Sequence, residues 1–313
     1  MTHPDLIVGT TTGDDAAVWR RPDGRALVAT VDFFAPIVDD PVVWGRVAAT
    51  NSASDVYAMG GTPLFALNVI AWPKDHLPMS VLGDVLAGMS AAAADGGWIV
   101  AGGHTVDGPE PMAGQAVIGE LPEGAEPFTN AGARPGDVLL LTKPLGSGLL
   151  ATAHKRLAPE DMAEGGRFHT TYRAAVEAMC TLNDRAARAA RAADAHSVTD
   201  VTGFGLAGHL HKMMAASGTS ARLSITALPL LPGVHDLIGE GFVPGGTLRN
   251  LAFVGDALVV GSESDRLLLG DPQTSGGLLV ACSPGSVGAF TDVYPAAVIG
   301  EVTAGEPGTI HAA

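Results

Sequence analysis

Residues 199–209 read TDVTGFGLAGH, and two readings of this stretch lead to two different folds. Gly203, Gly205 and Gly208 spell G-x-G-x-x-G, the loop that joins strand to helix in a dinucleotide-binding βαβ unit. That reading needs a continuous apolar strand before the loop and an acid about 20 residues after it for the ribose. Here HSVTDVT carries only two strong strand formers, no Asp or Glu follows Gly203 until Asp236, and the motif lies late in the chain. The dinucleotide fold is rejected, and Asp200, directly before the glycines, becomes the informative residue. His209 and His211 fall on different helix faces and read as polar surface or capping groups, not as a metal pair.

On either side of this stretch, strand and helix signals alternate. RALVATVDFFA reads as a strand, and DPVVWGRVAATNSASDVYAMGG as a helix with Pro41 near its start and Gly60 at its end. PLFALNVIAW is a strand, residues 79–95 an Ala-rich helix stopped by Gly96 and Gly97, and GQAVIGELPEG another strand. EGAEPFTNAGARPGD has strong turn composition and places a domain boundary within 125–136, giving an N-terminal domain 1–130 and a C-terminal domain 131–313. DVLLLTKPLGSG opens the second domain, one long helix is expected over 168–194, and GGLLVACSP and AAVIGEV read as strands.

The chain has 313 residues, 47% of them hydrophobic, enough for two domains with cores of their own. Asp plus Glu outnumber Lys plus Arg by 33 to 18, for a formal charge of −15, and such a surface repels nucleic acid and anionic membranes. No apolar run approaches the length of a membrane span, and the chain reads as soluble and cytoplasmic. Cys180 and Cys282 lack metal-ligand spacing and read as buried thiols.

Several aspartates occupy positions where core residues belong. Strand alternation puts Val28, Thr30, Asp32 and Phe34 on one face, and helical steps align Ala48, Ser52, Asp55 and Met59. Asp14 and Asp15 open the apolar run DDAAVW, and Asp200 ends another. An ionised carboxylate buried without a partner costs several kcal/mol, on the order of a whole domain's margin. Basic residues are scarce in these motifs, so a divalent metal is the economical partner. Oxygen donors without His or Cys favour Mg²⁺. AGGHTVDG, residues 101–108, reads as a glycine-rich turn whose backbone N–H groups approach a polyphosphate, or as an ordinary tight turn. No G-x-x-x-x-G-K-[ST] is present, which excludes a P-loop.

In this order, GDDAAV, TVDFFAPIVDDP, NSASDVYAMGG, AGGHTVDGPEP, LTKPLGSG, DVTGFGLAGH, LPGV, VPGGTLRN and DPQTSGGLL resemble selenophosphate synthetase (selenide, water dikinase), from residue 3 to the C-terminal strand. The S-D-x-x-A-M-G helix is shared with the wider superfamily of aminoimidazole ribonucleotide synthetase, thiamine-monophosphate kinase and the hydrogenase maturation dehydratase. The resemblance implies an α+β (mixed α/β), two-domain aminoimidazole ribonucleotide synthetase-like fold, each domain a mixed sheet covered by helices. It also implies a homodimer with ATP bound by the N-terminal domains, phosphates clamped by Mg²⁺, and a C-terminal domain contributing to the metal and phosphate site. The implied reaction converts ATP, hydrogen selenide and water to selenophosphate, AMP and orthophosphate. Carried over by motif, Asp15, Asp55 and Asp200 are metal ligands, with Asp55 also at the nucleotide and Asp32 contacting nucleotide or metal. Thr12, Gly13 and Asp14 form one nucleotide loop, and Gly103, His104 and Thr105 a second one offered across the dimer interface.

The family also carries an N-terminal glycine-rich segment with Cys or selenocysteine and, three residues later, Lys. This sequence begins downstream of that segment, so neither catalytic role is assigned to any residue, and the expectation is that Met1 is not the native start. Two alternatives stay open: another ATP-dependent kinase or ligase of the superfamily, acting on a thiamine phosphate or a purine intermediate, and a nucleotide-binding paralogue without catalysis.

Overall fold

The computed structural model describes residues 3–10 and 12–313; Met1, on which the start-site expectation falls, lies outside the described residues with Thr2 and Thr11. The chain folds into two compact units, Met1–Pro127 with Met179–Asp184, and Phe128–Ala178 with Arg185–Ala313. Each is a mixed sheet with helices, the α+β class expected.

The first unit runs β1 (Leu6–Val8), β2 (Ala17–Arg20), β3 (Ala26–Phe34), α1 (Pro41–Ala58), β4 (Thr62–Trp72), α2 (Met79–Gly96), β5 (Ile99–Asp107) and β6 (Met112–Glu120). Among the described residues its sheet has the order β1-β2-β3-β6-β4-β5, antiparallel except where β4 meets β5. Asp40 caps α1 by accepting from the N–H of Val42 and Val43 at 2.9 and 3.0 Å, and Pro41 fills the first helical position, where no N–H is needed. The helix stops before Gly60, whose φ of +76° is left-handed.

Helix α1 is buried on nearly every side because β3 and β6 lie on one flank and α2 on the other. The helices approach closely through two glycines. A Cβ at Gly88 would fall 2.0 Å from the Val42 carbonyl oxygen, and one at Gly45 2.0 Å from that of Val85.

The second unit contains β7 (Val138–Leu141), α3 (Ser147–His154), α4 (Pro159–Met162), α5 (His169–Cys180), α6 (Asp184–Ala192), β8 (Ser197–Asp200), α7 (Gly205–Ser217) and β9 (Ser220–Leu223). There follow α8 (Val234–Gly239), α9 (Gly245–Val254), β10 (Leu258–Val260), α10 (Glu263–Gly270), β11 (Leu278–Cys282), α11 (Val287–Thr291), β12 (Ala297–Thr303) and β13 (Ile310–Ala312). Its sheet order is β10-β13-β9-β12-β7-β11-β8. Strand β11, flanked by β7 and the edge strand β8, is buried along its whole length, which is why LLVAC reads as a continuous apolar run.

Three expectations are corrected. The single helix over 168–194 is two, α5 and α6, because Thr181–Asn183 leave the helical path to join the first unit. There Leu182 packs beside Gly96, and the buried Asn183 donates to Ser54 Oγ at 2.9 Å; helix propensity of tenths of a kcal/mol per residue is overridden by such contacts. The glycines of AGGHTVDG lie inside strand β5 and not in a turn. Cys282 is buried as expected, but Cys180 is only half-buried.

The α1–α2 contact yields a stability prediction. Alanine at position 88 gains about 1 kcal/mol in helix propensity, yet its methyl meets backbone that cannot swing aside, and overpacking of this kind costs roughly 1–3 kcal/mol. Gly88→Ala is therefore expected to lower the urea midpoint; an unchanged or higher midpoint contradicts the close packing.

Candidate active site

In the first unit the acids gather where β3 runs under α1. Thr30 and Asp32 face the helix as strand alternation requires. Asp32 Oδ2 accepts from Asn51 Nδ2 at 2.8 Å, and Ser52 Oγ donates to the backbone oxygen of Asp32 at 2.9 Å. Burial pushes the Asp32 carboxyl above the usual carboxylate range, and the Asn51 hydrogen bond pulls it back. Thr30 donates its hydroxyl to Asp55 Oδ2, so the strand fixes the orientation of the one carboxylate in the helical stripe.

Register extends this polar patch across the sheet. Asp32 on β3 pairs with Gln115 on β6, Gln115 with Asn68 on β4, and Asn68 with Gly103 on β5. Gln115 is fully buried, and its Nε2 donates to Asn68 Oδ1 at 2.9 Å while its Oε1 accepts from Trp98 Nε1 at 3.3 Å. Gly103 is required by the pairing, since a Cβ there would lie 2.3 Å from the Asn68 carbonyl oxygen. By alternation Thr105 shares the Gly103 side of β5, and His104 takes the opposite side.

Beside this row, a cavity of about 510 Å³ is lined by Gly9, Thr10, Asp14, Asp15 and Thr30, among others. Thr12 donates its hydroxyl to the Gly9 carbonyl at 3.3 Å, and Gly13 adopts φ +66°, which shapes the loop that delivers the two aspartates. Thr30 thus touches the cavity on one side and holds Asp55 on the other. The lining offers hard oxygen donors and neither His nor Cys. Among the described residues no three His, Cys, Asp or Glu side chains stand together as a metal cage. This set fits Mg²⁺, which retains waters and relies on phosphate oxygens, better than it fits zinc.

Asp200 belongs to the second unit. It is 1% exposed and ends the edge strand β8, where it pairs with Leu278 of the antiparallel β11. The antiparallel partner rules out a parallel dinucleotide-binding unit. The loop that follows is tied inward: His209 Nε2 accepts from the N–H of Thr202 at 3.1 Å, so this N–H is spent on the protein and not on a pyrophosphate. Gly205 has φ +68°, and its Cα approaches the backbone of Gly270 and Asp271 too closely for a side chain. His209 is buried, which corrects its reading as surface or cap; burial, with Lys212 nearby, holds its imidazole down at about 3.

The motif DPQTSGG closes around the same loop. Gln273 Oε1 accepts from the N–H groups of Gly146 and Ser147 and from Ser147 Oγ at 3.0–3.2 Å, and its own N–H donates to Thr202 O at 2.9 Å. Asp271 is fully buried at the N-terminus of α3. Burial raises its carboxyl to about 7, against opposing hydrogen bonds from Gln273 and the N–H groups of Leu149 and Gly148. A larger cavity of about 710 Å³, lined by His211, Arg222 and His311 among others, takes in none of the candidate metal or nucleotide residues.

The structure thus groups Asp14, Asp15 and Asp55 around Thr30, places Asp32 and Gly103 in one row, separates His104 from that row, and sets Asp200 in the other unit. Thr30, Asn51, Asn68, Gln115 and Gln273 went unassigned in the sequence. For Thr30, Asn68 and Gln115 the signal was a polar residue inside an apolar run, meaningful only once register supplies its neighbour; Asn51 and Gln273 sit in polar stretches that carry no such signal.

Comparison with known proteins follows the same division. Models described as AIR synthase related protein, N-terminal domain and C-terminal domain, match residues 13–121 and 134–312. Among solved structures, thiamine-monophosphate kinase from Stenotrophomonas maltophilia K279a has a TM-score of 0.70 at 19% identity, covering 99% of this chain and 92% of its own. Hydrogenase maturation protein HypE in complex with ATP has a TM-score of 0.67 at 20% identity, covering 99% and 86%. These matches define an AIR synthase-like fold. The selenide, water dikinase of Aeromonas hydrophila subsp. hydrophila is 49% identical over 280 residues, spanning 89% of this chain and 78% of that protein. The chain belongs to the selenide, water dikinase family.

Asp271 and His209 predict a pH signature. A carboxyl with pKa about 7 folded against an ordinary 3.8 stabilises fully below pH 3.8, and that stability is lost as pH rises toward 7. An imidazole at about 3 against an ordinary 6.5 acts the other way, costing stability as pH falls from 6.5 toward 3. Between roughly pH 4 and 6.5 the two slopes oppose each other. Asp271→Asn removes the first alone, so the variant should lose stability on acidification by up to about 1 kcal/mol per pH unit relative to the parent. Urea denaturation across this range checks it; parallel profiles contradict the assignment.

Proposed function

We propose that this chain is an ATP-dependent phosphotransferase that makes selenophosphate from hydrogen selenide, ATP and water, releasing AMP and orthophosphate. The observation that carries the reading is the 49% identity to a selenide, water dikinase, and the acid-lined cavity at Thr30 supports it. Asp15 and Asp55 are the first unit's carboxylates for Mg²⁺, and Asp200 has the same role in the second. Thr12, Gly13 and Asp14, together with Gly103, His104 and Thr105, are the nucleotide contacts, with Asp32 beside them. Mg²⁺, when bound, neutralises charge on the transferring and leaving oxygens. The protein's part is to aim carboxylates before the phosphates arrive: Thr30 orients Asp55, and the Asn51 hydrogen bond holds Asp32 and partly offsets the burial that raises its carboxyl.

The chain also acts as a homodimer. Val31 and Phe33 of β3 and Leu67 of β4 are 54%, 47% and 41% exposed. Register puts Val31, Ala116 and Leu67 in one row on the sheet side away from α1. An uncovered apolar sheet face of this kind suits a second copy. We place the protein in the cytoplasm; both cysteines are free thiols, and among the described residues no helix is long and apolar enough to cross a membrane.

Two predictions test this reading. Asp55→Asn and Asp200→Asn should each cut Mg²⁺-dependent ATP turnover at least about 100-fold, as expected for loss of a metal ligand, with an unchanged circular dichroism spectrum; normal turnover in both refutes the ligand assignment. Val31→Lys should convert the dimer to monomer in sedimentation velocity, and a dimer of undiminished stability would rule out this face.

A further inference from the structure

The second unit holds a buried lysine that the proposed reaction does not use. Lys143 follows β7 in LTKPLGSG and is 4% exposed, with Nζ donating to the Ser275 carbonyl oxygen at 2.8 Å. A lysine taken this far out of water is uncommon and calls for a reason.

Its partner is strained. Ser275 is buried and has φ +49°, a left-handed conformation that strains a residue bearing a Cβ and persists only when its surroundings enforce it. The next two residues explain what the turn accomplishes. Gly276 lies so close to Val201 that a Cβ there would fall 1.9 Å from the Val201 carbonyl oxygen. Gly277 accepts from the N–H of Val201 at 2.9 Å, and a Cβ on it would fall 2.4 Å from the Lys143 backbone nitrogen. The turn anchored by Lys143 therefore grips the residue directly after Asp200.

We propose that Lys143 is a positioning residue for Asp200, acting through the left-handed Ser275–Gly276 turn. Its ammonium holds the Ser275 carbonyl, which keeps the turn in its strained form, and the turn fixes the end of β8. Gln273 completes the grip by donating to Thr202 O. The functional weight of this device rests on Asp200 being a metal ligand, but the positioning is measurable without metal.

Hydrogen exchange of the full chain is the test. Lys143→Met should speed amide exchange at Val201 by at least 10-fold while leaving β9 and β12 unchanged, and should weaken Mn²⁺ binding, titrated by electron paramagnetic resonance, by a similar factor. Adding Ser275→Gly relieves the left-handed strain and should restore both. Lys143→Arg, which keeps the charge, serves if the methionine variant does not fold, with a smaller effect in the same direction. Unchanged exchange at Val201 in a folded variant, or loss of protection spread evenly over the unit, overturns the proposal. Failure of the parent itself to bind Mn²⁺ would count against the metal reading of Asp200, and the exchange data would still decide the role of Lys143.

Discussion

A carboxylate removed from water must be met by donors or by a cation, and in a chain with 33 acids and 18 bases the cations run short. Asp32, Asp55 and Asp271 are each met in a way that dictates the structure around them. Asn51 and Thr30 come from the elements that face Asp32 and Asp55, so the seating of α1 on β3 is tied to the acids it covers. Asp271 is met by the N-terminus of α3 and by Gln273, while burial pushes its carboxyl up to about 7.

The two units solve this problem with different geometry. In the first, register lines up Asp32, Gln115, Asn68 and Gly103 across the sheet; Asn51 donates to Asp32, and Gln115 donates to Asn68. Hydrogen bonds of this kind, partly buried, restrict their side chains, which suits residues that must keep their aim before a ligand arrives. In the second, glycines let backbone segments approach so closely that the loop after Asp200 is held by main-chain contacts and by Lys143 and Gln273.

Much of this was legible in the sequence. Alternation in LVATVDFF placed Thr30 and Asp32 on one face, and helical steps placed Asp55 in a buried stripe, because both periods are local. The mixed α+β class followed from the alternation of strand and helix signals. What stayed hidden depends on contacts distant in sequence. The excursion of residues 179–184 left only a faint mark, the weaker helix formers Cys180, Thr181, Asn183 and Asp184, and its cause is a distant contact, Asn183 donating to Ser54. The glycines of β5 looked like a turn because the backbone that crowds them belongs to β4. His209 looked like surface because its partner, the Thr202 N–H, is supplied by a fold back across the loop.

The reaction itself is tested most directly by product analysis. Incubation of the protein with ATP, Mg²⁺ and hydrogen selenide, followed by ³¹P nuclear magnetic resonance, should show selenophosphate, AMP and orthophosphate in equal amounts, none of them formed without selenide or Mg²⁺. Formation of ADP alone, at a rate indifferent to selenide, would contradict the account.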